Sequence, residues 1–214
     1  MERHCMFDGE RGPLEGIFMA PDTPGPHPAI VVCHPHPRYG GSMDNNVVMA
    51  ICFGSYQRGI ASLRFNFRGV GLSKGRYENG VGEQEDIRAA LAFLAQHEGI
   101  DPEHLGLAGY SFGARVAMTM AESASQVQAL CLVSPPMRDP GTALAAFARP
   151  KLLVVGDRDD GIPVEAVAAF ASGIPDPTDI QVVPGADHFW YGYEEELDRR
   201  VGEFFARSLS RSPA

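Results

Sequence analysis

The sequence is sparing in the features that would mark several classes of protein. Its 214 residues include only four cysteines, Cys5, Cys33, Cys52 and Cys131, far apart and with no CxxC pair. Cys33 and Cys131 lie inside apolar runs, where a reduced thiol behaves as a small hydrophobe. All four read as free thiols of a reducing compartment, and the expected location is the cytoplasm. No apolar run approaches the length needed to span a bilayer, and Met-Glu-Arg-His-Cys opens without the apolar core of a signal peptide, so no membrane association is expected. Basic residues are in deficit: 18 Lys and Arg stand against 27 Asp and Glu, for a formal charge of −9. That balance argues against nucleic acid and anionic membrane as partners, and mildly against strongly anionic substrates.

Internal repeats are also absent, and the one proline-rich connector, Pro21 to Pro28, lies near the N-terminus. A composition that is 44% hydrophobic and 21% charged is globular, and the length suits one domain over residues 1–214. Residues 6–20 read as an antiparallel hairpin around Asp8-Gly-Glu-Arg-Gly12. Apolar strands are expected at Ala29–Cys33, Ile60–Phe67, Leu105–Ala108, Val127–Val133, Leu152–Val155 and Ile180–Val183. Helices are expected at Asn45–Gln57, Gly82–His97, after Ser111, at Pro163–Ala171 and at Tyr191–Ser208, with a short helical piece near Ala143–Phe147. Strands alternating with helices predict an α/β fold: a mostly parallel, doubly wound sheet with helices on both faces and the hairpin at its edge. Ligands of such folds bind at the carboxyl ends of the strands.

Gly109-Tyr-Ser-Phe-Gly113 joins the Leu105–Ala108 strand to a helix in which Phe112, Val116 and Met120 share a face. Glycines on each side of Ser111 permit a sharp bend and close packing of strand on helix. This is the pattern of a nucleophile elbow, which thrusts a serine hydroxyl out at the strand end, beside helix amides able to steady a developing anion. The alternative is a serine that only caps the helix. A serine needs a base, and the base needs an orienting anion. Downstream of Ser111 the one histidine is His188, just after the last strand. Gly156-Asp-Arg-Asp-Asp-Gly161 offers three carboxylates. Asp159 is placed best to face His188, with Asp160 and Asp157 as alternatives that otherwise cap the next helix or face water. Asp187 would have to fold back on its neighbour.

Two backbone donors are expected for an oxyanion: the amide of Phe112 and that of His36, the one N–H between Pro35 and Pro37, which have none. A metal on His34 and His36 is the alternative, but no third ligand of suitable spacing is near. No metal and no cofactor are expected. Gly69-Val-Gly-Leu-Ser-Lys-Gly75 lacks both the GxGxxG spacing and a Walker Lys-Ser/Thr, so it reads as a turn-rich loop bordering the site. Around it, Arg64, Arg68, Lys74 and Arg76 read as solvated or paired, with Arg68 able to reach the pocket rim. His34, Tyr39 and Trp190 are the other expected rim residues. Glu83, Glu85 and Asp86 read as a favourable helix start.

The GYSFG, GDRDDGIP and ADHF segments resemble the nucleophile, acid and base motifs of the α/β-hydrolase superfamily, in that order. CHPHPRYGGSMDNNVV and LRFNFRGVGLSKGRYENGVGEQED are similar to segments of small bacterial serine hydrolases related to the dienelactone hydrolases, and the likeness extends over nearly the whole chain. The resemblance implies Ser111 as nucleophile, Asp159 as acid, His188 as base, and Phe112 and His36 as oxyanion amides. The chain departs from the pattern at His34-Pro35, where the superfamily commonly has His-Gly, and at Ser111, where dienelactone hydrolases use cysteine. Many members insert a lid where this chain has only Ser134 to Lys151. An open site without a lid, favouring small or extended acyl esters, is expected. The implied function is a serine hydrolase of small carboxylic esters; a thioesterase or a peptidase would use the same groups, and an idle scaffold used for binding is the remaining reading.

Overall fold

A computed structural model describes residues 2–137 and 143–210. The chain opens with a hairpin, β1 (Glu2–Gly9) and β2 (Gly12–Met19), and continues through β3 (His27–Cys33), α1 (Asn46–Tyr56), β4 (Ala61–Phe65), α2 (Glu83–Gln96), β5 (Ile100–Tyr110) and α3 (Phe112–Met120). It closes with β6 (Val127–Val133), β7 (Lys151–Gly156), α4 (Val164–Ala171), β8 (Thr178–Val183) and α5 (Glu194–Ser208). The described strands form one sheet in the order β1-β2-β4-β3-β5-β6-β7-β8. β1/β2 and β2/β4 are antiparallel and every other pair is parallel.

The hairpin begins earlier than its apolar pieces predict. Glu2 to Cys5 pair with Gly16 to Met19 through the backbone, although Glu2, Arg3 and His4 are exposed. An edge strand keeps its ladder without apolar side chains, so periodicity does not reveal it. At Ala143–Phe147 the expected helical piece is a turn instead. Leu144 stands at a positive φ of 65°, which interrupts a right-handed helix. The adjoining residues 138–142 lie outside the described part.

The core has two layers because the parallel strands are apolar on both faces. Along β6, Ala129, Cys131 and Val133 face one cluster while Leu130 and Leu132 face the other. Along β7, Leu152 and Val154 alternate in the same way with Leu153 and Val155. Val47, Val48 and Ile51 of α1 and Leu197, Val201 and Phe205 of α5 fill the first layer. Ile87 and Leu91 of α2, Ala117 of α3 and Val167 of α4 fill the second. No described helix is long and apolar enough to cross a membrane. The helices are set where their ends demand: Asn45 caps α1 by accepting the amide hydrogen of Val47 at 3.0 Å, and Pro163 precedes α4. The loops after β3, β5, β7 and β8 consequently gather at the carboxyl end of the sheet.

Candidate active site

Ser111 sits between β5 and α3 at φ 53°, ψ −113°, a left-handed conformation that a side chain rarely adopts. The bend persists because its surroundings are close-packed. A Cβ at Gly109 would lie 2.5 Å from the Gly113 carbonyl group, and one at Gly113 would lie 2.4 Å from the Cys33 carbonyl oxygen. Both glycines are therefore required for strand, turn and helix to meet. The Ser111 amide donates to the Val133 carbonyl at 2.9 Å and its carbonyl accepts from Arg115 at 3.0 Å.

The loops after β7 and β8 bring the other two expected groups to this serine. Ser111 Oγ lies 3.1 Å from His188 Nε2, and His188 Nδ1 lies 2.8 Å from Asp159 Oδ2. The Asp159 side chain is fully buried, while that of His188 is 30% exposed. Asp159 Oδ1 also accepts from the Gly161 amide at 3.1 Å, so both its oxygens are held. The other acids of the region are occupied elsewhere. Asp157 accepts the Gly185 amide at 2.6 Å rather than capping a helix, and Asp187 accepts the amides of Phe189 and Trp190. Asp160 is exposed. Tyr110, which nothing in the sequence singles out, is buried and donates its hydroxyl hydrogen to the His188 carbonyl. Burial, then the nearby Asp159 and Asp187, push its pKa up.

A cavity of about 470 Å³ opens above Ser111, bordered by Pro35, His36, Tyr39, Gly40, Gly41, Asn45, Tyr110, His188, Phe189 and Tyr191. His36 and Tyr39 were expected here; Asn45, Phe189 and Tyr191 carry no motif that would have announced them. A cavity of similar size, about 500 Å³, lies between β2, α1 and α5, and neither serine nor histidine lines it. Chemistry rather than volume singles out the first. The His36 carbonyl is spent on the amides of Tyr39 and Gly41, at 3.0 and 3.1 Å. Its ring takes the Arg38 amide hydrogen on Nδ1 and places Nε2 3.1 Å from the Tyr77 hydroxyl. Phe112 is the first residue of α3, where helix amides lack partners within the helix.

Three expected rim residues turn inward instead. Arg68 is fully buried, because its guanidinium binds Asp86 of α2 on both carboxylate oxygens and Glu78 at 2.8 Å. Trp190 is fully buried in the core layer of α1 and α5, its indole N–H donating to Ser134 Oγ at 3.1 Å. The turn that sends it there is fixed by Asp187. Glu83 and Asp86 are also more than a helix start: both are buried, and Glu83 accepts the amides of Glu78 and Gly80 at 2.8 and 2.7 Å.

His34 is the third, fully buried against the Phe67 ring. Its Nε2 accepts the Phe67 amide hydrogen at 3.1 Å and its Nδ1 lies 2.6 Å from the Pro35 carbonyl oxygen. Both nitrogens are used by a neutral ring, which leaves none for a metal. Among the described residues no group of three metal-binding side chains forms. Burial lowers the His34 pKa from 6.5 to about 4, the bond to Pro35 opposing it. The fold thus favours the uncharged form. This stabilisation is complete above pH 6.5 and erodes as pH falls towards 4, where the unfolded chain binds a proton that the folded one refuses. About 3 kcal/mol of the acid-side slope is expected from this group. Urea unfolding at stepped pH checks it: His34→Asn, uncharged throughout, must lose that part of the slope.

Residues 28–199 match the model of the α/β-hydrolase domain family. A Rickettsia prowazekii protein described as uncharacterised is 32% identical over 207 residues, covering 92% of this chain and 86% of its own. An α/β serine hydrolase homologue from Coxiella burnetii superposes with a TM-score of 0.86 at 37% identity, covering 94% of this chain and 96% of its own. A serine hydrolase without a lid from Xanthomonas campestris gives 0.87 at 30% identity, covering 99% of this chain and 97% of its own. With residues 28–199 matching that family's model and relatives at 32–37% identity over nearly the whole chain, this chain belongs to the α/β hydrolases.

Proposed function

We propose that the protein is a serine hydrolase that cleaves small, uncharged carboxylic esters through an acyl-enzyme, with Ser111, His188 and Asp159 as its triad. The observation that carries this reading is the continuous chain from Ser111 Oγ to His188 Nε2 at 3.1 Å and from His188 Nδ1 to Asp159 Oδ2 at 2.8 Å. Asp159 holds the Nδ1–H tautomer, so Nε2 carries the lone pair that removes the serine proton. Ser111 Oγ bonds to the ester carbonyl carbon, and the carbonyl oxygen becomes an oxyanion. The amides of Phe112 and His36 stabilise it; the packing of Gly113 on the Cys33 and His34 carbonyls, which sets the start of α3 beside the loop of His36, supports that pair. Collapse breaks the bond to the alcohol oxygen, which leaves with the proton from His188. Water, deprotonated by the same ring, then attacks the acyl-enzyme and releases the acid.

The absence of Lys, Arg, Asp and Glu from the cavity lining supports uncharged substrates. A fluorophosphonate is expected to add once to the protein, on the peptide containing Ser111, by mass spectrometry. 4-Nitrophenyl esters from acetate to decanoate are expected to turn over fastest at short acyl length. A protein that takes no adduct, or takes it at another residue, would not have this mechanism.

A further inference from the structure

The rim of the Ser111 cavity departs from an ordinary protein surface. Four aromatic side chains are among the exposed large hydrophobics of the described residues: Tyr39 (87% exposed), Phe53, Phe189 (59%) and Tyr191 (73%). Three of those four border this one cavity. Scattered exposed aromatics need no explanation, but a cluster around a concavity marks a surface that is covered when something binds.

The rings are also ordered relative to the reacting groups. Phe189 meets His188 edge-on, with centroids 6.0 Å apart at 84°. Tyr191 continues that wall outward, nearly parallel to Phe189 at 14° with centroids 6.4 Å apart. Across the cavity, Tyr39 lies 4.7 Å from the His36 ring, which in turn lies 5.0 Å from the Phe112 ring. β5 stands between β3 and β8 in the sheet, so the loops bearing these two walls reach Ser111 from opposite sides. No Lys, Arg, Asp or Glu lines the cavity itself. Burial first, then Arg115 and Arg38, lower the pKa of His36 from its ordinary value and so favour its uncharged ring. Asn45 spends its side-chain oxygen on the α1 cap, so its amide NH2 is the polar group it presents to a ligand.

The geometry points to esters of uncharged aromatic acids as the substrate class, the acyl ring lying against Phe189 and Tyr191 with its carbonyl at Ser111. This rests on the serine-hydrolase reading and adds the side of the ester that is recognised. A ring packed edge-on or offset on two aromatic side chains gains more than its buried area alone. A saturated ring of the same size has the greater hydrophobicity but no such gain.

The test compares methyl 3-phenylpropanoate with methyl 3-cyclohexylpropanoate, which differ only in ring unsaturation and have no aromatic alcohol. kcat/KM is expected to favour the phenyl ester about fivefold, through KM, and Phe189→Ala/Tyr191→Ala is expected to bring the ratio to within about twofold of unity. Equal turnover of both esters, abolished in Ser111→Ala, would overturn the aromatic class and leave the hydrolase standing. A preference for benzyl acetate over cyclohexylmethyl acetate without one for the phenyl acid would overturn it too, by placing the ring on the alcohol side. Were neither ester hydrolysed, and no 4-nitrophenyl ester either, the ester-hydrolase reading would fall. The aromatic class would then be decided by NMR titration of Ser111→Ala with both methyl esters: shifts at Phe189 and Tyr191 at lower concentrations of the phenyl ester than of the cyclohexyl one uphold it, and equal or no shifts there overturn it.

Discussion

Ester turnover is expected to fall by a factor of about 10⁴ to 10⁶ in Ser111→Ala and by about 10⁴ in Asp159→Asn, with the fold intact in both. The two losses have different causes. Alanine removes the attacking oxygen. Asparagine keeps the buried shape at Asp159 but no longer secures the hydrogen on His188 Nδ1, and a ring held in the other tautomer presents an N–H to Ser111 Oγ in place of a lone pair. Because the three groups act as a unit, the double variant is expected to be no slower than Ser111→Ala alone. Pre-steady-state measurement separates these effects: Asp159→Asn slows the acylation burst, and Ser111→Ala abolishes it. If Asp159→Asn kept a tenth or more of the wild-type rate, or if the two losses multiplied, the chain of contacts from Asp159 to Ser111 would not be the reacting unit.

Much of this site is legible in the sequence because its signals are local. A Gly-x-Ser-x-Gly turn between a strand and a helix declares its own strain, and the structure shows Ser111 at φ 53° with both glycines tightly packed. Helix α2 runs over Glu83–Gln96 against an expectation of Gly82–His97, because Gly82 and His97 are its caps. His188 and Asp159 could be placed because a doubly wound sheet sends every β-to-α loop to one end. What the sequence does not carry is the direction in which a loop residue turns. Trp190 and Tyr191 are neighbours, yet one is buried and the other 73% exposed, a split decided by Asp187 accepting two amides and by the Ser134 hydroxyl waiting in the core. His34 and His36 are two residues apart, and the first is turned away by a bond to Phe67 on another strand's loop. Such partners are remote in sequence, so the pattern around each residue is the same whether it lines the pocket or supports it.

Arg68 is the strongest instance, and its partner gives the second large effect. Asp86→Ala is expected to destabilise the protein by about 3 kcal/mol, since it leaves a guanidinium with no exposed surface only the partly exposed Glu78 and Glu10 as partners. Asp86 receives Arg68 Nε at 3.0 Å and Nη2 at 2.8 Å on one oxygen, and the Arg68 amide at 2.9 Å on the other. Glu78 at 2.8 Å is the other close acceptor, and it is itself tethered through its amide to Glu83. Removing both charges is a different experiment: in Arg68→Met/Asp86→Leu the cost of a poorly paired buried ion disappears, and most of the lost stability is expected to return. Urea denaturation of the wild type, both singles and the double closes the cycle; a double variant as unstable as Asp86→Ala would mean that packing rather than charge dominates there. The network also bears on catalysis. The loop it anchors carries Tyr77, whose hydroxyl lies 3.1 Å from His36 Nε2 and whose ring lies 5.6 Å from that of Phe112. A loosened loop therefore frees both residues proposed to bind the oxyanion. Double variants that regain stability without regaining this loop geometry should recover in urea but stay low in kcat, and that divergence would locate the function of the buried pair in holding the site rather than the fold.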